Sequence, residues 1–155
     1  MCSNPTENLQ DTCDRLQLLF EGLSVLTLLT GFDNRPDDAT TSMDRGSSQY
    51  FPRENNEPAR IWLGSHHQVP LGEEGIGLQE LSLNELQRNL IHEFAHHLDV
   101  EGDEESSSGR HDINWQNSYN DIISRLESSG FSPDILKLCR QDLLEYIEIA
   151  QNFGN

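Results

Sequence analysis

The chain has 155 residues, 34% of them hydrophobic, and carries a net charge of −17 from 10 basic against 27 acidic side chains. That length holds one domain with one core, and the modest apolar content leaves part of it to solvated loop. The acidity argues against intrinsic nucleic-acid binding, because no basic stripe is present to neutralise phosphates, and it favours basic or neutral polypeptide partners.

Three cysteines, Cys2, Cys13 and Cys139, are odd in number and form no C-x-x-C pair, the pattern of free thiols in a reducing compartment. No basic region precedes an apolar run at the N-terminus, so no secretory signal is expected. The most apolar stretch, residues 16–29, is interrupted by Gln17, Glu21, Gly22 and Ser24 and is too short to span a bilayer. The expectation is a cytoplasmic protein without a membrane anchor.

In chain order, the first helix is expected to begin near Pro5 or Glu7 and to run to about Thr30, where Gly31 can stop it; Leu9, Cys13, Leu16, Phe20, Leu23, Leu26 and Leu29 give it a wide apolar face. Residues 31–58 are rich in Asp, Asn, Ser and Pro and read as a flexible loop anchored by Tyr50 and Phe51, either a mobile surface segment or a lid. Residues 59–64 (Ala-Arg-Ile-Trp-Leu-Gly) form the best strand. Such a strand either offers a free edge to a substrate backbone or is an ordinary core strand. His66 and His67 read as surface residues of a polar turn. The glycine-rich link through Gly72, Gly75 and Gly77 lacks the third glycine and the lysine of a phosphate cradle.

Ser82 followed by Glu85 is a capping box that starts a second helix. Leu83, Leu86, Leu90, Phe94 and Leu98 make its apolar stripe. On the opposite side, His92-Glu93-Phe94-Ala95-His96 has the spacing H-E-x-x-H, which at about 100° per residue sets the two imidazoles roughly 40° apart on one face. Two imidazoles leave Zn²⁺ short of a tetrahedral shell, so a catalytic site adds a third protein ligand and keeps one position for water. Glu93 is then placed as general base, taking a proton from the metal-activated water and passing it to the leaving amine.

Residues 100–110 read as an acidic, serine-rich loop without the carboxylate alternation of a calcium loop. Asp112 can N-cap a third helix packing through Ile113, Trp115 or Gln116, Tyr119, Ile122, Ile123 and Leu126 and closed by Gly130. Ser132-Pro133 starts a fourth, with Ile135, Leu138, Cys139, Leu143, Tyr146, Ile147 and Ala150 on its stripe. For the third ligand, His111 competes with Glu145, Glu148 and Asp99. Asp99 is more simply the carboxylate that steadies a ligand imidazole from behind. His97 is a structural neighbour of the stripe.

His92, Glu93, His96, the late His111 and Trp115 resemble the SprT-like and WLM-like members of the gluzincin clan over about residues 82–126. Those families usually carry Gly after the late His or a basic body that meets DNA; Asp112 and the strong acidity depart from both. The run from His92 to Asp99 is also similar to the H-E-F-A-H-x-L/I-D signature of the MtfA-type peptidases, whose third ligand is a Glu on a later helix, a place Glu145 or Glu148 would fill. Pattern and resemblance together imply a single α+β domain over residues 1–155, a helix-dominated minimal zincin with a short antiparallel sheet. They imply a zinc metallopeptidase acting on peptide or protein substrates, with His92, His96 and His111 as ligands, Glu93 as base and Asp99 behind them. The alternative is a catalytically silent, zinc-stabilised binding or regulatory module.

Overall fold

The apolar spacing that predicts the first helix holds only as far as Leu19. In a computed structural model, which describes residues 5–23, 25–31, 36, 48–54, 57–64, 66–102 and 111–152, α1 (Pro5–Leu19) buries Leu9, Cys13 and Leu16, with Phe20 just beyond its end. Gly22 then takes φ 94°, a left-handed conformation that breaks the helix. The chain continues as strand β1 (Leu26–Thr30), not as the expected helix to Thr30. Leu23, Leu26 and Leu29 fit a helical stripe locally, but the backbone of residues 26–30 is claimed by a distant strand, and that ladder outweighs local periodicity.

The expected flexible loop over residues 31–58 contains β2 (Ser48–Phe51). Tyr50 and Phe51 are its buried anchors, 6% and 5% exposed. The parts of that loop at 32–35, 37–47 and 55–56 lie outside the described residues. β3 (Ala59–Leu63) is the predicted strand and the centre of a three-stranded sheet ordered β1-β3-β2. It pairs antiparallel with β2 and parallel with β1, so the sheet is mixed, not purely antiparallel, and both edges of β3 are in use. A parallel neighbour requires the chain to cross back before pairing, and β2, which runs opposite to both, lies on that return.

Where a polar turn and a glycine link were expected, β4 (His66–Pro70) and β5 (Ile76–Glu80) form an antiparallel hairpin. Gly72 and Gly75, at φ 67° and 95°, turn the chain between them. His66 is exposed.

The hairpin feeds α2 (Leu83–Gly102) through the predicted capping box: Ser82 Oγ accepts from the Glu85 N–H and Glu85 Oε1 accepts from the Ser82 N–H, both at 3.2 Å. The helix absorbs residues 100–102 of the expected acidic loop; 103–110 lie outside the described residues. Asp112 caps α3 (Ile113–Ser128), its Oδ1 accepting from the Trp115 N–H at 3.1 Å. Trp115, Tyr119, Ile122, Ile123 and Leu126 face inward, whereas Ile113 is 63% exposed. Gly130, at φ 81°, turns the chain into α4 (Pro133–Asn152).

The result is the expected helix-dominated α+β architecture. α2 is its axis: α1, β2 and β3 pack against it, and so do α3 and α4. Cys13 and Cys139 are buried free thiols, and Cys2 lies outside the described residues. No described helix is long and apolar enough to cross a membrane.

Candidate metal centre

Because α2 is packed on several sides, the face carrying the H-E-x-x-H residues is interior as well. His92, Glu93 and His96 are 9%, 6% and 3% exposed. Ionisable groups so placed need partners, since burial without compensation penalises their charged or polar forms. The partners come from three other elements.

The first is His111, just ahead of α3, which Asp112 anchors by capping the helix. Its Nε2 stands 3.1 Å from His92 Nε2 and 3.3 Å from His96 Nε2. The ligand atoms of all three lie within 4.8 Å of one another. The structure thus brings His111 to the two histidines of α2. Of the rival ligands, Glu145 and Glu148 are exposed on α4 and join no such group among the described residues. Asp99 is buried, 5% exposed, on α2 three residues past His96.

The second is α4. Asp142 Oδ2 lies 2.7 Å from His92 Nδ1 and accepts a hydrogen bond from the Tyr119 hydroxyl at 2.9 Å. A carboxylate on Nδ1 fixes the tautomer that keeps a proton there and turns the bare Nε2 lone pair inward. One turn further along α4, Tyr146 stacks on His111, centroids 4.1 Å apart and planes at 25°. The carboxylate that steadies His92 is thus Asp142, whereas the sequence assigned that part to Asp99. The sequence carried one sign of it: Asp142 interrupts the stripe of Ile135, Leu138, Cys139 and Tyr146 at the helical spacings that should be apolar.

The third is β2. Ser48 Oγ donates to Glu93 Oε2 at 2.7 Å, and the Tyr50 N–H adds a backbone hydrogen bond. The Tyr50 hydroxyl meets Nδ1 of the fully buried His97 at 2.9 Å, so that histidine ties sheet to helix, as a structural neighbour should. Ser48 carries no sequence signal, since one serine among many in a polar stretch looks like loop. Trp115 completes the enclosure, stacked on His96 (5.3 Å, 25°), edge-on to His111 (4.6 Å, 89°) and donating from Nε1 to the His92 carbonyl at 3.4 Å.

Burial and the neighbouring imidazoles hold His96 down at about 2 and His111 at about 4, so both rings are neutral at ordinary pH. Burial pulls His92 the same way, but the Asp142 hydrogen bond and the charges of Glu93 and Asp142 outweigh it and raise its pKa. Burial raises Glu93, against the opposing pull of His92, Ser48 and the Tyr50 N–H. A carboxyl group moved up from its usual range is better matched to accepting a proton near neutral pH.

The donor set fits a small tetrahedral cation. Two bonds of about 2.0–2.1 Å at a tetrahedral angle separate their nitrogens by about 3.3 Å, against 3.1 and 3.3 Å for the two pairs at His111. Hydrogen bonding alone satisfies the three rings poorly. With His92 Nδ1 serving Asp142, one His111 nitrogen faces two others, and His96 Nδ1 is buried with no hydrogen-bond partner among the described residues. Imidazole donors suit zinc and its first-row neighbours and not magnesium or calcium.

Comparison of the chain with protein-family models, curated proteins and solved structures gave no match in any of the three. The functional reading rests on the chain's own residues.

Proposed function

We propose that this chain is a zinc-dependent metallopeptidase in which His92, His96 and His111 hold the metal and Glu93 is the general base. The observation that carries the reading is the convergence of three Nε2 atoms beside a buried glutamate whose pKa is raised. Zinc held there by the three imidazoles would supply a Lewis acid for the scissile carbonyl and would lower the pKa of a bound water. The chain's own part is proton handling. Glu93 takes the proton of the attacking water on its carboxylate and delivers it to the leaving amine, while Ser48 and the Tyr50 N–H orient it.

Asp142 holds His92 in the ligating tautomer, and Trp115 and Tyr146 fix the planes of His96 and His111. Of the hydroxyls that could stabilise an oxyanion, Tyr119 is committed to Asp142 and Tyr50 to His97. The resemblance to SprT-like, WLM-like and MtfA-type peptidases supports the same chemistry, and the net charge of −17 points to basic or neutral peptide substrates. A reducing compartment is part of the proposal, on the odd cysteine count and the free state of Cys13 and Cys139.

One observation favours a second reading, the zinc-stabilised module without turnover: the Glu93 side chain is 6% exposed and closed over by Ser48. Metal analysis of protein purified without added metal, wild type beside His111→Ala, tests the site. One zinc per chain, lost or weakened in the variant, is the expected result. Hydrolysis of a mixed peptide library, abolished in Glu93→Gln with zinc retained, separates the two readings. Zinc without turnover in the wild type would leave the silent module.

A further inference from the structure

The stripe of α2 is not evenly covered. Leu90 and Phe94 are completely buried, but Leu83 and Leu86, earlier on the same stripe, are only half-buried. Opposite them lies a cavity of about 650 Å³, bounded by α1, the ends of β1 and β3, the end of β5 and the first turn of α2. Its floor is Leu9, Leu63 and Leu81, at 2%, 1% and 6% exposure, so the walls on that side are packed core. The volume falls within the range of about 300–1,000 Å³ usual for small-molecule sites, and apolar walls with a few convergent polar groups are their usual make-up.

The polar groups here have one sign. Glu80 and Glu85, the latter also the capping carboxylate of α2, line the cavity with the neutral Thr30, Gln79 and Ser82, and no Lys, Arg or His is among the described lining residues. An anionic head would meet two carboxylates and the field of a chain at −17, whereas a cationic head would be drawn by both. The cavity is distinct from the metal centre. Leu86 precedes His92 by six residues, about 9 Å along the helix axis, and the stripe it belongs to faces away from the ligand histidines.

We propose that this leucine-walled cavity at the N-terminal end of α2 binds a small amphipathic amine, its apolar body against Leu83 and Leu86 and its cationic head at Glu80 and Glu85. The proposal does not depend on the peptidase reading. Isothermal titration calorimetry of the full chain with octylamine, octanoate and octanol tests it, the three sharing one apolar body. Saturable binding of octylamine, at least tenfold tighter than octanoate, is expected. In the double variant Glu80→Gln and Glu85→Gln the preference should vanish, and Gln at position 85 keeps the capping box intact. Glu73→Gln with Glu74→Gln, which alters exposed charge outside the cavity, should leave it unchanged. Leu86→Trp, filling the cavity, should abolish binding in a protein whose circular dichroism and zinc content match wild type. No saturable binding, equal affinity for amine and acid, a preference that survives the double variant, or binding by folded Leu86→Trp would each overturn the proposal.

Discussion

Replacing Asp142 with asparagine removes one charge and almost no volume, and isolates what the carboxylate does for His92. In the native protein Asp142 Oδ2 faces His92 Nδ1 at 2.7 Å and the Tyr119 hydroxyl at 2.9 Å, with 14% of its side chain exposed. A hydrogen bond to a charged group contributes about 1.5–3 kcal/mol against about 0.5–1.5 for a neutral pair. Asparagine can still accept the Nδ1 proton through its carbonyl, so the tautomer survives while the added basicity of the ligand is lost. Zinc affinity should fall about tenfold, at the lower end of the 10–100-fold range for such supporting groups, or about 1.4 kcal/mol. Asp142→Ala should do more, because the His92 N–H is then buried without its acceptor, at about 1–3 kcal/mol. Affinity measured by competition with a chromogenic chelator, alongside urea unfolding of the metal-free protein, separates the two effects. An asparagine variant that binds zinc within twofold of wild type would refute the reasoning that Asp142 tunes the ligand.

Three further outcomes are expected. With His96 at about 2 and His111 at about 4, only His92, whose pKa the Asp142 hydrogen bond raises, must lose a proton to bind metal. Zinc affinity should therefore rise about tenfold per pH unit from about pH 5 up to the His92 pKa and then level off; a slope of two or three protons would contradict the assignment. Trp115→Ala removes a fully buried side chain that touches all three histidines, so urea unfolding should show a loss of about 3–5 kcal/mol, with zinc binding impaired. Ser48→Ala removes a donor that holds the Glu93 pKa down. The acid limb of kcat/KM for peptide hydrolysis should move to higher pH with zinc content unchanged, and a limb that stays in place would show that Ser48 does not act on the base.

What the sequence disclosed depended on range. α2 was legible because its signals are local: the cap at Ser82 and Glu85, the leucine stripe and the i, i+4 histidines fall within one helix, and both capping hydrogen bonds form. His111 was legible because its helix entry at Asp112 is a local motif too. β1 was misread because Leu23, Leu26 and Leu29 satisfy helical spacing, and only pairing with β3, far along the chain, decides the matter. Gly22, at φ 94°, is the local sign of the break. The β4/β5 hairpin was missed for want of apolar alternation in His66–Pro70. Asp142 stands fifty residues from the imidazole it supports. No spacing rule connects them, and only the docking of α4 does.

That docking bears on how the centre comes into being during synthesis. α2 and the start of α3 emerge from a ribosome before α4, so the three histidines are present before Asp142 and Tyr146. A nascent chain without α4 lacks the carboxylate on His92 and the ring stacked on His111, so tight capture of the proposed metal waits for that helix. A domain whose proposed chemistry cuts polypeptides would thereby stay inert until α4 has docked on α2.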